Sequence, residues 1–155
     1  MKGKHMERTL VLIKPDAIQR GLAGEIISRI EARGLQIAAM KMVHLDKNMA
    51  NRHYEAHVGK PFFEGLVQFI TSRPIIAVVF QGHNAVGLIR NTMGATDPHD
   101  AAAGTIRGDL AINIGRNLIH GSDSSDSAQR EISLFFSPQE IIDYKREVEH
   151  WITEP

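Results

Sequence analysis

The chain contains no cysteine among its 155 residues. That excludes disulfide staples and any thiolate metal site. It has no charge excess either, because 18 Lys plus Arg are matched by 18 Asp plus Glu. Bulk attraction to nucleic acid or to an anionic membrane is therefore not signalled, and any basic function must come from a local cluster. No apolar run approaches the roughly 20 residues needed to span a bilayer. The opening "MKGKHMERTL" has early lysines but no apolar stretch before a cleavage site, so it does not read as a signal peptide. These absences point to a cytoplasmic protein with neither membrane nor nucleic acid as partner. Both common phosphate-binding loops, G-x-x-x-x-G-K-[ST] and G-x-G-x-x-G, are missing as well. A nucleotide bound here would be held without them.

What is present is ordinary globular composition, with 43% apolar and 23% charged residues. The length suits one domain, taken as 6–155, with Met6 as the natural start and Met1–His5 as an added remnant. A domain of this size buries roughly 70% of its unfolded surface, so a real core is within reach. "RTLVLIK" (8–14) reads as a buried strand ended by Lys14-Pro15-Asp16, and "LQIAAMKMVHL" (35–45) as a second, partly alternating one. "PIIAVVF" (74–80) is the strongest strand and "NLIH" (117–120) a last short one. Between them, "GEIISRIEARG", "MANRHYEAH", "PFFEGLVQFITS" and "NAVGLIRNTMG" have helical spacing, the third placing Phe62, Leu66, Phe69 and Ile70 on one face. After the last strand, "SSDSAQREISLFF" puts Ala128, Ile132 and Phe135 on one face, and "SPQEIIDYKREVEHW" reads as a restarted helix. Residues 94–116 hold four of the 13 glycines and no steady period. So long a loop inside a compact domain is usually functional. The order implies one sheet of about four strands covered by helices.

"NLIHGSD" (117–123) sets His120 where a short strand stops, and packing, metal ligation, proton transfer and nucleophilic attack are all open to it. His53 and His57 in "HYEAH" have the i,i+4 spacing of a zinc pair, yet H-E-x-x-H is not matched and no third ligand is near in sequence. Solvated or hydrogen-bonded helix histidines are the better reading of that pair. Lys14 at a strand end, Arg90 on a helix and Arg107 in "GTIRGD" form a scattered cationic set. Guanidinium groups bind phosphate bidentately and lysine acts as a point charge. Each alone is most simply a surface charge, but strand ends and loops are where sites are built.

"NIGRNLIHGSD" resembles the active-site signature of the nucleoside diphosphate kinases, and "ERTLVLIKPDAIQRGLAGEII", "GKPFFEGL" and "GTIRGD" resemble that family's other blocks in the same order. The resemblance covers Met6 to Trp151. Two departures are Ala17 after "KPD", where many members have Gly, and Ala103 before "GTIRGD", where Pro is common. The second loosens the loop that carries Thr96 and Arg107.

The resemblance implies a ferredoxin-like α+β fold, βαββαβ, with a four-stranded antiparallel sheet covered by helices. It implies ping-pong transfer in which His120 takes the γ-phosphate of a nucleoside triphosphate and passes it to a nucleoside diphosphate. An imidazole, with an ordinary pKa near 6.5, offers a free lone pair at neutral pH and needs no separate base. By resemblance, Glu131 orients the ring; read from the residues alone it would be a solvated helix residue. Lys14, Arg90, Thr96, Arg107 and Asn117 match the phosphate and ribose contacts, and Phe62 the aromatic that stacks on the base, although spacing alone makes Phe62 core. Tyr54 resembles the tyrosine near the catalytic histidine. Mg²⁺ is expected as a nucleotide-borne cofactor, with Asp123 reaching it through water and no direct protein ligand. Members are homo-oligomers, and the tail through "HWITEP" favours a hexamer over a tetramer. Two readings compete with the enzyme: a non-catalytic nucleic-acid or protein binding module of the same fold, and a metal-dependent hydrolase using His53 and His57.

Overall fold

The apolar runs become strands because they are covered on both sides. In the computed structural model, which describes residues 6–154, β1 (Met6–Ile13), β2 (Gln36–Val43), β3 (Ile75–His83) and β4 (Ile119–Gly121) form one sheet in the order β2-β3-β1-β4. Every pairing is antiparallel. This is the strand order of a βαββαβ ferredoxin-like sheet. The possible remnant Met1–His5 lies outside the described residues.

Helices α1 (Pro15–Gln19) and α2 (Ala23–Ala32) join β1 to β2, and α3 (Lys47–His53) and α4 (Phe63–Thr71) join β2 to β3. Between β3 and β4 come α5 (Ala85–Met93) and α6 (Ile106–Leu110), and α7 (Ser125–Phe135) follows β4. Successive side chains of a strand point to opposite faces. Accordingly Leu10, Leu12, Ala77 and Val79 join a core with Ile70, Ile132 and Phe135, on the side of α3, α4 and α7. Val11, Ile13, Val78 and Phe80 join the opposite core with Ile26, Ile30, Ile89 and Ile106. A central strand buried on both faces reads as an unbroken apolar run rather than an alternating one.

Three expectations are corrected. The loop 94–116 contains α6, whose N-cap Thr105 accepts the Gly108 amide at 3.0 Å. Five residues are too few to show a helical period. The loop around Ala103 is further tied by Asp109, which accepts the Gly104 amide at 2.8 Å and pairs with Arg29 at 2.6 Å. "MANRHYEAH" is not one helix: α3 ends at His53, and Glu55–His57 form a separate 3-10 turn. The stretch 137–151 does not restart a helix. It makes 3-10 turns at Pro138–Glu140 and Glu149–Trp151, and the segment between them lies along the edge strand β2. There the Ile142 amide donates to the Ala38 carbonyl (2.9 Å) and the Tyr144 hydroxyl to the Ile37 carbonyl (2.7 Å). Open acceptors on an edge strand outcompete a helix whose residues would bury little.

Candidate active site

The residue before the last strand is forced into an unusual shape. Leu118, fully buried, has φ +73°, the left-handed region that aliphatic side chains avoid. Such backbone costs on the order of 1–3 kcal/mol and persists only when its surroundings dictate it. Here they do. The Ile119 amide donates to the Asn117 carbonyl two residues back (2.8 Å), the Leu118 amide to Asp16 Oδ2 (3.0 Å), and the Lys14 amide to the Leu118 carbonyl (2.9 Å). The tight turn sets the register of β4, in which His120 stands opposite Leu12. Both side chains therefore share the face covered by α3 and α7.

Helix α7 brings the carboxylate. Ala128, Glu131, Ile132 and Phe135 are its buried residues, spaced i, i+3, i+4 and i+7. Glu131 is only 4% exposed. Its Oε1 is 2.8 Å from His120 Nε2, and its Oε2 accepts the hydroxyl of the fully buried Ser122. Burial favours the neutral acid, but the hydrogen bond from His120, the charge of that ring, the Ser122 hydroxyl and His53 outweigh it and hold the carboxyl down at about 2. Glu131 is thus an ionised group that can only accept. His120 Nε2 must then carry the proton, and in the neutral ring Nδ1 keeps its lone pair. The His120 side chain is 27% exposed, so solvent reaches the ring.

Behind His120 lies His53, 4% exposed, its ring edge-on to that of His120 at 4.7 Å between centroids. Burial above all, and then the His120 charge, push it down to about 3, so it is a neutral imidazole. This corrects the reading of the pair as solvated or hydrogen-bonded for His53 only: His57 lies beside Lys60 (3.2 Å) and does not meet His53 at a common site. A row of rings runs outward from His53 to Tyr54 (4.6 Å), His57 (6.2 Å) and Phe62 (5.5 Å). Tyr54 is buried, which raises its phenol above the ordinary range. Phe62 is 52% exposed just ahead of α4, so it is not core as its spacing suggested. An exposed ring at a cleft rim can stack on a ligand.

The cations gather on the other side of the turn. Lys14 is 7% exposed and donates to Asn117 Oδ1. Asn117 Nδ2 donates to the Thr96 carbonyl at 2.9 Å. Arg107, 4% exposed, donates to the carbonyls of Ile119 (2.7 Å), Gly94 (3.1 Å) and Asn117 (3.3 Å). None of the ion pairs among the described residues engages Lys14, Arg90 or Arg107. Burial pushes Lys14 down to about 8, and Arg107 and Arg116 add to the effect against Asp16. Burial, with the Arg90 charge, likewise lowers Arg107 to about 10. Buried cations without counter-charges define a site for an anion. Arg90, the Thr96 side chain and Asp123 are exposed, and Asp123 makes no side-chain hydrogen bond or ion pair among the described residues.

Three participants were not singled out from the sequence: Asp16 and Leu118 build the turn, and Ser122 holds the second carboxylate oxygen. His53 was singled out by its helical spacing to His57, but not as the residue that backs the His120 ring. Arg116 also joins the cationic wall, its guanidinium 4.1 Å from the Phe69 ring centroid.

An ionised carboxylate aligning a histidine beside buried, unneutralised cations defines a phosphate-handling enzyme. Comparison with known proteins narrows the class. Residues 7–141 match the family model described as "Nucleoside diphosphate kinase". The chain is 58% identical over 149 residues to a nucleoside diphosphate kinase of Pelotomaculum thermopropionicum, covering 96% of this chain and 100% of that one. It is 54% identical to one from Archaeoglobus fulgidus, with 96% and 99% covered. Among solved structures, a halophilic nucleoside diphosphate kinase of Halobacterium salinarum in complex with CDP superposes with a TM-score of 0.94 at 49% identity, over 97% of this chain and 100% of that one. The chain belongs to the nucleoside diphosphate kinase family: it is a nucleotide-binding phosphotransferase with that family's ferredoxin-like fold.

Proposed function

We propose that His120 is the transient phosphoryl carrier of this kinase and that its Nδ1 is the reacting atom. The observation that carries the reading is the 2.8 Å contact of His120 Nε2 with an ionised, buried Glu131. It fixes the tautomer and leaves the other nitrogen free. In the first half-reaction the Nδ1 lone pair attacks the γ-phosphorus. An N–P bond forms as the P–O bond to the β-phosphate breaks, and the nucleoside diphosphate leaves with that electron pair. Positive charge developing on the ring is met by Glu131. In the second half-reaction a terminal oxygen of another nucleoside diphosphate attacks the same phosphorus and the N–P bond returns its electrons to Nδ1. Such transfers are governed by positioning and charge neutralisation. Lys14, Arg90 and Arg107 neutralise the phosphates, Asn117 and Thr96 orient phosphates and ribose, Tyr54 walls the His120 side of the cleft, and Phe62 stacks on the base. Every base has a π face, so stacking suits loose base selection.

Mg²⁺ fits as an ion carried by the nucleotide. Among the described residues the one group of three potential ligands is His53, His120 and Glu131, a nitrogen-rich set unlike the oxygen shell Mg²⁺ requires. Bound to the phosphates, Mg²⁺ would offset part of their charge, with the exposed Asp123 reaching it through water. The protein is read as a cytoplasmic homohexamer with 6–155 as one domain. The oligomer is supported by exposed apolar side chains on β2 (Met40, Met42) and in the 94–116 loop (Ile112, Ile114). No helix among the described residues is long and apolar enough to cross a membrane.

Double-reciprocal kinetics with ATP and a second diphosphate test the reading. Parallel lines are expected, and His120→Ala should reduce exchange to background. Intersecting lines, or substantial turnover by the variant, would contradict it.

A further inference from the structure

His53 is an unusual group to bury. Neither ring nitrogen has a hydrogen-bond partner among the described residues, and a buried polar group without one calls for an explanation. Phosphoryl transfer as derived above gives it no task. Yet its Nδ1 is 3.8 Å from Glu131 Oε1, the same oxygen that lies 2.8 Å from His120 Nε2. One atom from each of the three residues falls within 4.8 Å of the others. A tetrahedral ion with ligands at 2.0–2.1 Å separates them by about 3.3 Å. These two separations fall on either side of that value and the third is no more than 4.8 Å, so the two imidazole rings must turn toward each other to close the set. Two imidazoles and one carboxylate are the ligands of a borderline first-row ion, and three protein ligands leave a fourth position for water.

We propose that His53, His120 and Glu131 form an inhibitory site for a divalent ion of the Zn²⁺ class, distinct from the nucleotide's Mg²⁺. The ion takes lone pairs from His53 Nδ1, His120 Nε2 and Glu131 Oε1. The hydrogen bond between His120 and Glu131 breaks, and the proton leaving Nε2 returns through solvent to Nδ1. No proton is lost overall, and no electron changes hands. The ring ends as the opposite tautomer, with its proton on the atom that should attack phosphorus. Inhibition therefore arises from the tautomer itself, even with the cleft open to nucleotide. The site's chemistry stands on the geometry alone; its inhibitory consequence rests on the reading of His120 as phosphoryl carrier.

The test uses the full chain without nucleotide, titrated with ZnCl₂ by calorimetry in a non-chelating buffer and with Co²⁺ as a spectroscopic stand-in. His53→Gln should weaken Zn²⁺ binding by at least about 10-fold, the scale of losses at metal sites. Wild-type protein should give the intense visible absorption of four-coordinate Co²⁺. In the wild type, nitrogen NMR of the His120 ring should show the Nε2–H form replaced by Nδ1–H on adding Zn²⁺, a readout needing no variant. Equal Zn²⁺ affinity with and without His53, a weak octahedral Co²⁺ spectrum, or an unchanged His120 tautomer overturns the site. If Zn²⁺ binds as described but ATP never phosphorylates the protein, the carrier reading fails and the site remains. If phosphohistidine forms while Zn²⁺ ignores His53, the reverse holds.

Discussion

Around His120 the charge is answered within the chain. Glu131 lies against the ring on one oxygen and against Ser122 on the other, and burial of the carboxylate is compensated before any ligand arrives. Across the turn at Leu118, Lys14 and Arg107 are as deeply buried, yet they meet only amide and carbonyl oxygens. One half of the cleft is thus complete when empty, and the other is completed by a phosphate. Substitutions in the first should harm chemistry without helping the fold. Substitutions in the second should harm chemistry while relieving the fold.

The sharpest way to break this contrast is Glu131→Gln. An amide can donate to Nε2 and hold the proton on Nδ1, so kcat should fall by about 10³-fold, near the scale of a wrong tautomer in other histidine mechanisms, with KM little changed. A kcat within tenfold of wild type in steady-state assays would remove the orienting role. Lys14→Met comes next. Loss of one buried charge-neutralising donor should lower kcat/KM by about 10²-fold. Because burial holds Lys14 at about 8 instead of 10.5, its charge opposes folding at neutral pH. The wild type accordingly gains stability as pH rises from about 8 toward 10.5. The variant should melt a few degrees higher than wild type at pH 7 and lose that rising limb. A lower melting temperature by calorimetry would mean the lysine is compensated after all.

Phe62→Ala should raise KM by about 10-fold, the weight of one stacked base, similarly for purines and pyrimidines, and leave kcat and the melting temperature unchanged. A large kcat loss would put the ring in the chemistry. The smallest effect is on acid stability. Glu131 sits at about 2 against an ordinary 4.5, so its contribution is complete above pH 4.5 and fades as pH falls toward 2. Glu131→Gln should flatten that acid limb in urea titrations, and an identical pH profile would deny the depressed carboxyl.

The sequence made the sheet readable for the same reason it made Glu131 hard to judge. Strands buried on both faces announce themselves as apolar runs, and β1 and β3 fall where the runs predicted; the partly alternating β2 lies at the sheet edge, and β4 begins at Ile119, two residues after the start of its run. In α7, Glu131 completes the stripe of Ala128, Ile132 and Phe135, but spacing alone does not say that a charge in such a stripe is buried and paired. Phe62 misled in the opposite sense: its spacing fits a core face, yet it stands just ahead of the helix and points to solvent. The tail from 137 onward failed because its fate was decided by an edge strand distant in sequence. Asp16, Leu118 and Ser122 act through backbone and second-layer contacts that no residue type announces. Lys14 and Arg107 were legible as residues, and only the fold shows them to be buried.

Which atom accepts the phosphoryl group decides whether His120 is the carrier. Protein labelled with ATP and Mg²⁺, then digested and examined by ³¹P NMR and mass spectrometry under alkaline conditions, should carry its phosphate on His120 at Nδ1. Phosphate found on Nε2, or on any other residue, would contradict the account.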